Sequence, residues 1–155
     1  MLTDKEAKQL FEAIKDLVEN KPIDFPQLGD SIQLDVVSTF DNDRFIIDIQ
    51  RKGQINIKKC TYQTRYQRVV PLFRIDIEGP PHQNPDLEII PCPHIHVYRE
   101  GFGDKWAYPL DEYIDTEASD LGRVLFDFLK YNNIRNIPQI RYQGSDLFNG
   151  SSGET

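Results

Sequence analysis

The sequence predicts an α+β fold: a single domain whose mostly antiparallel β-sheet is covered on one face by an N-terminal and a C-terminal amphipathic helix. Three observations carry this. Apolar residues recur at helical spacing from Ala7 to Val18 and again from Leu121 to Leu129. Short segments of alternating apolar and polar residues lie between those stretches, separated by turn-forming residues. The connections are short, which favours hairpins over crossovers. The face left uncovered by the helices is where polar side chains collect, and it is the candidate site.

Taken in order, Thr3 to Asn20 reads as the first helix. Thr3 and Glu6 form a capping box, and Ala7, Leu10, Phe11, Ile14, Leu17 and Val18 make one apolar stripe. Lys21 to Gly29 carries two prolines and a glycine and reads as a connector. Ile32, Leu34 and Val36 alternate with polar residues, as do Phe45, Ile47 and Ile49, with a turn at Asp41-Asn42-Asp43 between them. Arg51-Lys52-Gly53 turns the chain into Ile55 and Ile57. Cys60 to Arg68 is polar and aromatic, and Val69 to Ile77 is a strand with Phe73, Ile75 and Ile77 towards the core. Gly79 to Asp86 holds three prolines and reads as a stiff loop that delivers His82. Gly101 to Asp104 turns the following strand back through Trp106 and Tyr108. Thr116 to Tyr131 is the second helix, with Leu121, Val124, Leu125, Phe128 and Leu129 on its apolar side. Ile137 to Tyr142 is a short edge strand. Residues 1–143 form the domain, and the polar, Gly/Ser-rich stretch 144–155 is a flexible tail.

Length and composition set outer bounds. A chain of 155 residues with 39% hydrophobic and 28% charged residues is long enough for one buried core and ordinary for a soluble protein. No apolar run approaches the roughly 20 residues that span a bilayer, and the polar N-terminus lacks the apolar core of a signal peptide. Two cysteines make no disulfide framework, so the expectation is a cytoplasmic protein with free thiols and no membrane partner. The net charge of −7 argues against a general DNA-coating role. Yet Arg51 to Arg74 carries seven basic and no acidic residues, leaving −14 on the remainder. A localised anion-binding surface is one reading of that segment, and a solvated β-meander paired with acidic neighbours is the other.

The stretch Pro91 to Tyr108 carries two of the three histidines, one cysteine and the only tryptophan. On a strand, Pro93, Ile95 and Val97 point to the core, while Cys92, His94, His96 and Tyr98 point to the opposite face. Plain surface strands carry Thr, Lys, Glu or Ser there. His94 and His96, with Cβ atoms about 7 Å apart, suit two ligands of one metal, with Glu100 or Cys92 as a third. They equally suit acid–base chemistry on a phosphodiester, or burial as histidines that hydrogen-bond across strands. In the acid–base reading the catalytic candidates are His94, His96, His82 and Tyr98. Lys59, Arg65, Arg68 and Arg74 bind phosphate, Tyr62 and Tyr66 stack bases, and Asp76 orients a histidine. No metal or other cofactor is expected.

His94-x-His96-x3-Glu100 resembles half of the cupin metal motif, although Glu88 and Ala107 stand where its glycines fall. His94-Ile95-His96-Val97 resembles the strand of histidine-triad nucleotide hydrolases, with Tyr98 in place of the third histidine, so that family's nucleophile has no counterpart. Three longer segments, 59–66, 74–85 and 93–101, resemble an uncharacterised bacterial family of the domain-of-unknown-function kind over most of residues 24–132. That resemblance implies no activity. The Pro-His-x-His-Val core is more loosely similar to small proteins of bacterial toxin–antitoxin pairs.

The expectation from these readings is a protein that binds RNA or a nucleotide phosphate, a metal-independent toxin-like ribonuclease being one form of it. One alternative is a non-enzymatic inhibitor from a mobile element that engages a basic partner through its acidic surface, the protein partner expected being a cognate antitoxin or an inhibited target. Another is a small metalloenzyme built on the His-x-His strand.

Overall fold

The computed structural model describes residues 1–53 and 57–142. The described residues fold into a single α+β domain: a seven-stranded antiparallel sheet, two α-helices and two small two-stranded ribbons. The sheet strands are β1 (Lys15–Leu17), β3 (Ser31–Ser38), β4 (Arg44–Gln50), β5 (Thr61–Tyr66), β6 (Val70–Asp76), β9 (His94–Val97) and β10 (Ala107–Pro109), in that spatial order. β2 (Ile23–Asp24) pairs in parallel with β11 (Ile140–Arg141), and β7 (His82–Gln83) pairs with β8 (Ile89–Ile90). The meander is sequential except for β2, which leaves the sheet between β1 and β3, and the β7–β8 hairpin, which leaves it between β6 and β9.

Helix α1 (Asp4–Glu12) begins at the expected capping box, Thr3 Oγ1 accepting from Glu6 N and Glu6 Oε1 from Thr3 N. It ends eight residues short of the expected Asn20. Ala13 is extended and Lys15–Leu17 becomes the edge strand β1. The cause lies in Lys15, which is 1% exposed and donates Nζ to the carbonyls of Phe11, Ala13 and Asn132. Those carbonyls close the C-terminal ends of both helices, where a cation is favoured. Leu17 is buried from the strand instead, while Ile14 and Val18 are 46% and 48% exposed, so the apparent stripe beyond Phe11 is coincidental.

Helix α2 (Leu121–Tyr131) starts later than Thr116 because Asp120 caps it, accepting from Arg123 N. Its five expected apolar residues are all buried and join Phe45, Ile47, Ile49, Tyr62, Phe73, Ile75 and Ile95 in one core. Phe11 of α1, Phe73 of the sheet and Tyr131 of α2 meet with ring centroids 4.7 to 5.3 Å apart. Both helices therefore cover the same sheet face. The expected terminal edge strand is β11, which belongs to the ribbon with β2 and not to the sheet. The turn into Ile55 and the tail 144–155 lie outside the described residues.

The register fixes the other face. Asp48, Gln63, Arg74 and His96 lie in one cross-strand row, and Gln50, Thr61, Asp76 and His94 in the next. A polar ladder thus runs from β4 to β9 on the face away from the helices.

Candidate functional site

His94 and His96 alternate with Ile95 as the sequence predicts, but the strand is buried on both sides. Ile95 is 0% exposed against the helices, and His94 and His96 are 3% and 1% exposed on the opposite face. The cover over the histidines is the β7–β8 hairpin and the turn around Asp104. Asn84, itself buried, donates Nδ2 to Ala107 O and accepts from Ala107 N, supplying the pairing an additional strand would give β10. That clamp holds His82 beside the sheet, where its Nε2 donates to Lys105 O at 2.7 Å. The His82 ring centroid lies 4.6 Å from His96 and 6.2 Å from His94, and the latter two are 4.9 Å apart.

Asp76, at the end of β6, sits at the centre. Its Oδ1 accepts from Thr61 Oγ1 at 3.0 Å. Its Oδ2 lies 3.2 Å from His94 Nε2, 3.3 Å from His96 Nε2 and 3.3 Å from Arg74 Nε. His94 Nδ1 donates to Ile90 O at 3.1 Å, and His96 Nδ1 donates to Asp104 O at 2.8 Å. Arg74 donates NH2 to His96 Nε2 at 3.0 Å and NH1 to Asp104 Oδ2 at 3.2 Å. Because His96 Nε2 accepts from Arg74, it presents a lone pair, and Asp76 Oδ2 presents another 3.3 Å away. The guanidinium is the cation that bridges these two acceptors.

The electrostatics follow from this packing. Burial works against the charge on Asp76, but the hydrogen bond from His94 and the Arg74 charge prevail, holding its carboxyl far below the usual carboxylate range. Burial also opposes a charged His94, yet the hydrogen bonds to Asp76 and Cys92 outweigh it and push the imidazole up to about 10. Cys92 Sγ lies 3.7 and 3.9 Å from the two ring nitrogens of His94. Both cysteines are free thiols.

Of the residues singled out in the sequence, His82, His94, His96, Arg74 and Asp76 come together here. Others do not. Strand alternation ends at Val97, and Tyr98 packs on the helix side with its hydroxyl donating to Leu2 O. Tyr62 is 0% exposed with its hydroxyl on Leu121 O, so it offers no face to a base. Tyr66 packs on Phe45 on that same helix side. Arg65 forks onto Asp48 at 2.7 and 3.0 Å and donates to Arg68 O, so its guanidinium is already engaged. Arg68 lies in the β5–β6 turn, at the opposite end of β5 from Thr61, about 16 Å away at strand rise. Lys59 is exposed, at the Thr61 end. Glu100 closes on α1, accepting from Asp4 N, and is no partner for the histidines. Thr61, Asn84 and Asp104 are members that the sequence reading did not name. Counting register back from Asp76 across the β5–β6 hairpin reaches Thr61; nothing local marks Asn84.

A family description matches residues 2–134, which is most of the chain. The chain belongs to the family of unknown function DUF6978. The resemblance carried by segments 59–66, 74–85 and 93–101 is thereby borne out, and DUF6978 membership adds no activity to it. No curated protein and no solved structure matches the chain. Among the described residues, no helix is long and apolar enough to cross a membrane.

Proposed function

We propose that Asp76, His94 and His96 form a divalent-metal centre of the open, hydrolytic kind, which makes this chain a small metalloenzyme. The observation that carries the reading is the spacing of Asp76 Oδ2 from the two imidazole nitrogens. Ligands about 2.0 to 2.2 Å from Zn²⁺ at tetrahedral angles lie about 3.3 to 3.5 Å from one another. Asp76 Oδ2 stands 3.2 Å from His94 Nε2 and 3.3 Å from His96 Nε2, and all three atoms lie within 4.8 Å of one another. Both histidines also turn Nδ1 to a backbone carbonyl, the outer contact that fixes Nε2 as the metal-binding nitrogen. The sequence alone favoured a metal-free domain, and the third ligand it offered the two histidines was Glu100 or Cys92, whereas Asp76 comes from β6. Asp76, His94 and His96 would hold the ion, and a bound Zn²⁺ would supply an acidified water as nucleophile.

Metal analysis decides this. Protein stripped with chelator and titrated with Zn²⁺ or Co²⁺ should bind one equivalent, and Asp76→Asn or His96→Gln should lose it while retaining the native circular dichroism. Wild-type protein that binds neither ion at micromolar concentration, or an Asp76→Asn variant that binds as well, refutes the centre.

A second reading keeps the same residues as a metal-independent acid–base pair acting on RNA or a nucleotide phosphate. The Arg74–His96 contact favours it, since it leaves a proton-accepting imidazole beside the proton-donating His94. Cleavage of RNA that persists undiminished in EDTA would replace the metal reading with this one.

A further inference from the structure

We infer that the ligand of this centre is a phosphoryl oxyanion, gripped by Arg74 across the metal; the inference rests on the metal reading above. Arg74 Nε and NH2 occupy the acceptor side of Asp76 Oδ2 and His96 Nε2, at 3.3 and 3.0 Å. A divalent cation bound to the same two atoms repels the guanidinium at that range, so the two cannot share the position. Asp104 is positioned to keep hold of it. NH1 is paired with Asp104 Oδ2 at 3.2 Å, and Arg74 and Asp104 are the solvent-facing members of the cluster, with side chains 32% and 35% exposed. Pivoting about that pair carries the guanidinium outwards, not away.

The move leaves Nε and NH2, adjacent and parallel, without acceptors beside a divalent ion. A doubly oxygenated anion satisfies such a fork bidentately. A third oxygen lets the anion meet the metal as well without sharing one atom between fork and ion. A phosphate group has a separate oxygen for the ion and a second negative charge, whereas a carboxylate must share one of its two oxygens between the fork and the ion. Exposed Lys105 adjoins Asp104 in the same turn and adds positive potential at the mouth. The substrate class is therefore a phosphate ester or anhydride, and the residue that selects it is Arg74.

The test uses full-length protein loaded with Co²⁺, whose visible absorption reports the metal's coordination, titrated with inorganic phosphate and separately with acetate. The wild type is expected to change its spectrum with phosphate at far lower concentration than with acetate. Arg74→Gln should bind Co²⁺ at least as tightly, having lost the competing cation, while its phosphate affinity falls about 10- to 100-fold. Arg74→Lys keeps the charge without the fork, guards against a variant that merely misfolds, and should fall between the two. A Co²⁺ centre silent to phosphate, equally responsive to acetate, or unchanged in both Arg74 variants overturns the inference while leaving the metal centre standing. Failure of the wild type to take up Co²⁺ at all removes the centre and the inference together.

Discussion

Asp76→Asn is the perturbation that weighs the polar cluster itself. The amide can take the place of the carboxylate without steric change, its oxygen facing His94 and Arg74 and its NH2 facing Thr61, whose hydroxyl can reverse and accept. What is lost is the charge. Two bonds, from His94 Nε2 at 3.2 Å and Arg74 Nε at 3.3 Å, lose their ionised acceptor and weaken, by about 1 kcal/mol each. Arg74 also loses a counter-ion. Breaking a fully buried pair costs about 3 to 5 kcal/mol. Side-chain exposures of 32% for Arg74 and 21% for Asp76 let water take up part of that. The expected destabilisation is therefore about 2 to 3 kcal/mol. With a urea slope of about 2 kcal/mol/M, the unfolding midpoint should drop by about 1 to 1.5 M, read by Trp106 fluorescence and by circular dichroism. A change under about 0.5 kcal/mol is what solvated surface residues show. That result would mean the cluster is a wet face, not a built network, and would remove the structural ground for a metal centre as well.

Other consequences are quicker to state. Ile95→Ala should cost about 2 to 5 kcal/mol, because Ile95 is 0% exposed against the helices. His96→Gln should cost about 1 to 3 kcal/mol in urea unfolding instead of being neutral, since the 1% exposed ring satisfies both Asp104 O and Arg74. Burial brings the Lys15 ammonium down from its ordinary 10.5 to about 8, so between those values the unfolded chain binds more protons than the folded one. The Lys15 contribution is thus complete above 10.5 and lost as pH falls through about 8; stability should rise from pH 8 to 10, and Lys15→Met should flatten that slope. Cys60 is 1% exposed with its thiol pushed up to about 12 by burial, so iodoacetamide should label Cys92 in native protein and reach Cys60 only on unfolding, as mass spectrometry of the peptides will show.

The fold class was legible because the two apolar periods, helical and alternating, are local properties of the chain. Its departures come from contacts that no local pattern contains. Helical spacing persists through Ile14, Leu17 and Val18, yet α1 stops at Glu12 because Lys15 reaches carbonyls at the ends of both helices, one of them more than a hundred residues away. Tyr62 and Tyr66 read as aromatic platforms because their neighbours are basic. Register, which a single segment does not reveal, places both on the helix face.

The site was legible to the same depth and no further. Alternation along one strand was enough to put His94 and His96 on the face away from Ile95. It says nothing of what lies above them, and the Asn84 clamp that folds the β7–β8 hairpin over the histidines turns an expected open face into a buried one. Burial is what changes the chemistry. On an exposed strand, Asp76, His94 and Arg74 would be screened and nearly independent. Under the hairpin each constrains the others, and the carboxylate comes to lie 3.2 and 3.3 Å from the two imidazole nitrogens. A Pro-rich loop that looked like a carrier for His82 is, on this account, the part that makes the cluster a site. Asn84→Ala should therefore loosen metal binding without removing any ligand, measured as a weaker Co²⁺ isotherm at unchanged stoichiometry. An isotherm identical to wild type would separate the cover from the chemistry and leave the ligand triad to stand alone.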